Sequence, residues 1–142
     1  MRKLALVLCM VGLMTVLFGC SPQTFVKTSL ANWKTIEFRP GLDRDDAYHL
    51  IADTLAKSYD IEVVDKDSGY IRSGWMYTLT GRINQNYRTR VIARIPPSSD
   101  KVEIKTDANW LDMSGNWLPG YDTMLLQQVY TDLQGVIGRT VR

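Results

Sequence analysis

Residues 87–106, YRTRVIARIPPSSDKVEIKT, decide the fold. Tyr87, Thr89, Val91, Ala93 and Ile95 alternate with Arg88, Arg90, Ile92 and Arg94. After Pro96-Pro97-Ser98-Ser99-Asp100, Val102 and Ile104 alternate with Lys101, Glu103 and Lys105. Successive side chains of a strand point to opposite faces, so a period of two predicts two strands with one apolar and one charged side. The Pro-Pro-Ser-Ser-Asp connection is of hairpin type. One packed and one wet face is the pattern of an antiparallel sheet.

Working outward, Ile61–Val64 and Tyr70–Tyr77 read as a strand pair around a Lys66–Gly69 turn. Thr78–Gln85, interrupted by Gly81 and Asn84, reads as a loop or widened turn. Lys34–Arg39 is a further short strand, with Ile36 and Phe38 on one side, ended by Pro40-Gly41. Asp43 then caps a helix expected from Arg44 to about Tyr59, with Asp45 and Asp46 at the positive end of its dipole. Ala47, Leu50, Ile51, Thr54, Leu55 and Ser58 form its buried stripe, and His49 lies off it. Asn109–Tyr121, rich in Gly, Pro and Trp, is expected to be a loop. Asp122 caps a last helix carrying Leu125, Leu126, Val129, Tyr130, Leu133, Val136 and Ile137. Gly138 occupies the position of a helix C-terminal glycine, with Arg139 and Arg142 suiting that end of the dipole. The order β-α-β-β-β-β-α predicts an α+β fold, an antiparallel sheet of four to five strands with two helices on one face.

The N-terminus predicts an address. Arg2 and Lys3 precede an apolar run from Leu4 to Phe18, the pattern of a secretory signal peptide. That run is shorter than the ~20 residues a spanning helix needs. Leu17-Phe18-Gly19-Cys20 resembles the lipobox of bacterial lipoproteins. The resemblance implies cleavage between Gly19 and Cys20 and lipidation of Cys20. Ser21, in place of aspartate, implies the outer membrane, facing the periplasm. Ser21–Asn32 then reads as a tether and 33–142 as a single domain. Twelve residues reach roughly 40 Å when fully extended.

Loss of the leader also narrows the chemistry. Arg2 and Lys3 leave with it, bringing the 17 basic residues down to the same 15 as the acidic ones. A balanced chain has no global charge for nucleic acid. Of the two cysteines, Cys9 leaves and Cys20 is lipidated, so no thiol nucleophile, disulfide or cysteine metal site is expected. His49 is the only histidine, which excludes a multi-histidine metal site. Asp43, Asp45 and Asp46 lack the alternating ligands and late Glu of a calcium loop, and helix capping accounts for them. With no nucleophile elbow, P-loop or dinucleotide fingerprint, no enzymatic activity, cofactor or metal is expected.

The segment Arg44–Trp75, with Ala47 and Leu55 in its helix and Ile61-Glu62-Val63-Val64-Asp65-Lys66-Asp67-Ser68-Gly69-Tyr70-Ile71 after it, resembles the repeated domains of the BamC/NlpB outer-membrane lipoproteins. The resemblance implies a helix-grip-like fold and a non-catalytic role. The chain has room for one such domain where that family usually carries two.

Two groups are candidate partner or ligand sites. Arg88, Arg90 and Arg94 share one strand face, near Lys101 and Lys105. They form either an anion-binding row or a solvated face on which Glu103 pairs with an arginine. Trp110, Trp117 and Tyr121 load the aromatic loop. It either closes over the core, burying Trp110, or displays Trp117 as an anchor. The function expected is a lipid-anchored periplasmic interaction module accessory to envelope assembly, with an envelope protein as partner. The alternative is a carrier of a lipid or small apolar ligand in a pocket under the last helix.

Overall fold

A computed structural model describes residues 21–79 and 82–139; the Gly19–Cys20 motif lies outside them. In chain order the elements are β1 (Phe25–Lys27), β2 (Lys34–Glu37), α1 (Arg44–Ala56), β3 (Ile61–Asp65), β4 (Tyr70–Ser73), β5 (Thr78–Leu79), β6 (Arg82–Ile83), β7 (Tyr87–Arg94), β8 (Lys101–Leu111), β9 (Trp117–Asp122) and α2 (Thr123–Ile137). Seven strands form one antiparallel open sheet in the order β1-β9-β8-β7-β4-β3, with β2 also on β8. β5 and β6 make a separate two-stranded ribbon. Both helices pack on one face of the sheet, so the α+β architecture is as expected.

The strand count is not. Five of the seven strands answer to the expected ones, and the sheet adds β1 and β9. The hairpin at residues 87–106 does not end at Thr106. β8 runs on to Leu111, with Tyr87 opposite Trp110, and β9 returns with Leu111 opposite Trp117. Asp112 organises the turn, its carboxylate accepting the N–H groups of Ser114 and Asn116, and Gly115 takes the left-handed conformation there (φ 81°). Pro119 and Gly120 hid β9, because both weaken a strand reading. Each has a place in the sheet. The Pro119 carbonyl accepts the Thr28 N–H at 3.1 Å. Any side chain at Gly120 would overlap the Phe25 ring and the Val26 carbonyl.

Residues 21–32, expected as a tether, therefore contain a strand. β1 pairs with β9 (Val26 opposite Tyr121), and Phe25 packs edge-on against Tyr87, ring centres 6.0 Å apart. Three residues are too few to show a period. Among the described residues, Ser21–Gln23 precede the first tertiary hydrogen bond, that of Thr24, and they span roughly 10 Å at most.

The inner face follows the alternation. Val91 and Ala93 from β7, Ile95 just after it, Val102 and Ile104 from β8, Ile36 and Phe38 from the β2 region and Ile71 from β4 meet both helices. α1 begins on Asp43, whose carboxylate accepts the Asp46 N–H at 2.8 Å. It buries Ala47, Tyr48, Ile51 and Leu55; Tyr48 widens the expected stripe, and Ser58 lies exposed beyond the helix end. α2 buries Leu126, Val129, Leu133 and Ile137, each 2% exposed or less. Gly138 follows α2 in an extended conformation (φ −73°, ψ 156°), not a left-handed one. The chain turns there to pair with the end of β2: the Ile137 carbonyl accepts from Arg39 N–H and the Glu37 carbonyl from Arg139 N–H. A side chain at Gly138 would overlap Gln134. Gly138 is thus the C-cap of α2, its N–H reaching the Gln134 carbonyl at 3.0 Å, but it is close approach and not a left-handed φ that calls for a glycine.

Asp122 joins these parts. It is 6% exposed, and one carboxylate oxygen accepts the Leu125 N–H at 2.8 Å as the α2 N-cap. The other accepts the Tyr87 and Thr24 hydroxyls, both at 2.6 Å. Burial first, then the bond to this carboxylate, raises the Tyr87 phenol above its ordinary range, so it stays a donor. Asp122→Ala removes a cap and strands a buried hydroxyl. Urea unfolding should show a loss of roughly 2–4 kcal/mol, and Tyr87→Phe a loss of about 1–2 kcal/mol.

Candidate functional site

The strand alternation that fills the core sends Arg88, Arg90, Ile92 and Arg94 of β7 to the outer face, beside Lys101, Glu103, Lys105 and Asp107 of β8. Three tryptophans from three separate places converge on these cations. Trp33 immediately precedes β2, Trp75 lies two residues after β4, and Trp117 opens β9. The Arg88 guanidinium carbon lies over Trp75 at 4.4 Å and over Trp117 at 4.5 Å from the ring centres. Arg90 also lies over Trp75, at 4.4 Å. Arg94 and Lys105 lie over Trp33, at 4.2 and 5.3 Å. The result is a chain of alternating indoles and cations, Trp117–Arg88–Trp75–Arg90, with a second group around Trp33. Ile92 sits between Arg90 and Arg94 on this face and is only 3% exposed, so the stacks also cover apolar surface.

Carboxylates answer most of the cations. Arg94 pairs with Glu103, its register partner, and Arg72 with Glu62 at 3.1 Å. Asp107 takes two, Arg90 and Lys105, both at 2.8 Å. Arg88 has no carboxylate among the described residues. Its polar contact is a donated bond to the Tyr77 hydroxyl at 3.4 Å, and its Nε is buried without a partner. Of the two readings the sequence allowed, the structure contains the Glu103–arginine pair. Arg94 belongs to a cross-strand pair with Glu103, while Arg88 is a cation held by aromatic rings.

A cavity of about 240 Å³ opens beside this array, between the outer face and the connection 28–32 that runs from β1 to β2. Trp75, Arg90, Lys105, Asp107, Asn109 and Tyr121 are among its walls. The aromatic residues expected in one loop are thereby divided. Trp117 lies on the outer side, 36% exposed, while Tyr121 lines the cavity and also packs against the core. Trp110 points the other way, 6.4 Å from the Phe25 ring. A strand separates neighbours by parity, which a loop reading could not register. Trp33 and Trp75 were not singled out from the sequence: Trp33 lies outside every segment read as periodic, and Trp75 falls in the Tyr70–Tyr77 stretch read as a strand, which ends in the structure at Ser73. Their number among only four tryptophans was the available signal.

Under α2, where a carrier's pocket was expected, Leu126, Val129, Leu133 and Ile137 pack with Ile36, Val102 and Ile104 in one cluster. No group of three or more metal-ligating side chains occurs among the described residues, and none of their helices is long and apolar enough to cross a membrane. No known protein family matches the chain, and no curated protein shows significant similarity to it.

The two indoles flanking Arg88 differ in what they hold. Trp75→Ala removes the contact with two guanidiniums and opens the outer face, and should cost about 2 kcal/mol or more in urea unfolding. Trp117→Ala removes a partly exposed ring and should cost no more than about 1 kcal/mol.

Proposed function

We propose that this protein is a non-enzymatic, lipid-anchored interaction module on the periplasmic side of the outer membrane, accessory to envelope assembly. The observation that carries the reading is the outer sheet face. It is lined with tryptophan and arginine, the residues most enriched where protein interfaces concentrate their binding energy. Exposed apolar side chains stand near it: Leu30 in the connection over the cavity, Tyr77 beside Arg88, and Trp117 itself. A buried β-sheet scaffold beneath keeps the ordering cost of binding low.

The anchor rests on the Leu17–Cys20 motif and the BamC/NlpB-like segment, and the two-helix, antiparallel α+β architecture is compatible with both. Lipid on Cys20, with so short a link to Thr24, would hold the domain close to its bilayer. The carrier alternative needs space beneath α2, and the side chains packed there favour the outer face as the working surface.

Photo-crosslinkers placed at Trp117 and Arg90 in the native envelope should capture a reproducible protein adduct. Adducts with lipid alone, or none, would overturn the reading. In the same cells, Cys20→Ala should abolish incorporation of labelled palmitate and leave the precursor uncut; continued labelling at another residue would remove the anchor from the proposal.

A further inference from the structure

We infer that Arg88 is the seat for a carboxylate, presented by an acidic segment of the protein partner. The inference rests on the proposed interaction role for its source of carboxylate, while the site itself stands on geometry. On the outer face, each of Glu62, Glu103 and Asp107 already holds a base, and Asp107 holds two. The array therefore keeps a surplus of positive charge, centred on Arg88 and the Arg90–Lys105 side of the cavity.

Arg88 is also partly desolvated. Indoles lie over it on both the Trp75 and Trp117 sides, and its Nε is buried with nothing to accept from it. Removing a cation from water without a counter-charge is unfavourable, and ring faces recover only part of that loss. A guanidinium's N–H groups lie in its own plane, and with Nε buried the edge left for a ligand is that of the two Nη groups. A planar group with two acceptors fits that edge, and a carboxylate is such a group. Asn109, the cross-strand neighbour of Arg88, lines the adjoining cavity, where Arg90 and Lys105 supply a second basic station. Two anion stations in one surface fit an acidic segment better than a single isolated acid. The exposed Leu30, Tyr77 and Trp117 offer contacts for its apolar residues.

The test titrates the unlipidated full mature chain with an N-acetylated hexapeptide of alternating aspartate and leucine, reading tryptophan fluorescence. Saturable, salt-sensitive quenching is expected. Arg88→Gln should weaken it by roughly tenfold or more, as loss of a paired, charge-assisted contact does. Arg88→Lys should fail to restore it, because an ammonium lacks the flat two-donor edge. Arg72→Gln, the same charge change at a paired arginine of β4, should leave it unaltered. Thermal unfolding of each variant identifies any that is misfolded; if Arg88→Gln is one, Arg88→Lys carries the comparison. Equal binding by Arg88→Gln and wild type overturns the site, as does equal quenching by inorganic phosphate or by phosphatidylglycerol vesicles. A protein adduct from Trp117 that persists unchanged in Arg88→Gln cells overturns the carboxylate seat and leaves the interaction role standing. Peptide binding that depends on Arg88, with no protein adduct in cells, keeps the seat and removes the role.

Discussion

Asp122 is the constraint on which most of this fold depends. A single buried carboxylate starts α2, receives the Tyr87 hydroxyl from the central sheet and receives the Thr24 hydroxyl from the N-terminal strand. A carboxylate so enclosed is tolerated only when its acceptor sites are filled, and here three donors fill them. The consequences run outward. β1 is fastened to β9, Phe25 can close the aromatic end of the core, and α2 leaves the sheet at an angle that lays Leu126, Val129, Leu133 and Ile137 over it. The chain's first described residues thus belong to the domain, and a membrane anchor at Cys20 would act on the sheet almost directly.

The second organising device is on the other side. Strands that bury one face must expose the other, and here the exposed face is covered by its own indole and guanidinium groups. Each stack holds two flexible or bulky side chains in place. Contacts of this kind contribute about 0.5–2 kcal/mol each, so the array is stabilising as well as exposed. Its one imbalance is Arg88, which has aromatic neighbours where its companions have carboxylates. The outer face is thus aromatic and locally short of negative charge. Of the two buried tyrosines among the described residues, Tyr87 donates to Asp122, while the Tyr48 hydroxyl is buried without a partner.

Legibility in the sequence followed periodicity. Tyr87–Ile95 and Lys101–Thr106 placed their side chains on the correct faces, and Asp43 and Asp122 capped the helices they were expected to cap. Where the pattern was broken the reading stopped short. Pro119 and Gly120 concealed β9, and three residues were too few to announce β1. Gly138 caps α2 as its position suggested, but in an extended conformation, with close approach to Gln134 in place of a left-handed φ.

For the surface, the sequence alone determined that Arg88, Arg90 and Arg94 share a face, because strand parity is a local property. It also determined that no cysteine follows Cys20 and that residues 20–142 carry equal numbers of basic and acidic side chains. Only the tertiary structure decided which arginines have counter-ions. Asp107 reaches Arg90 across the β7–β8 hairpin, and the tryptophans that flank Arg88 come from positions 75 and 117, on either side of it in the chain. Cation–aromatic stacking depends on distance and orientation between residues remote in sequence, and no local pattern encodes it.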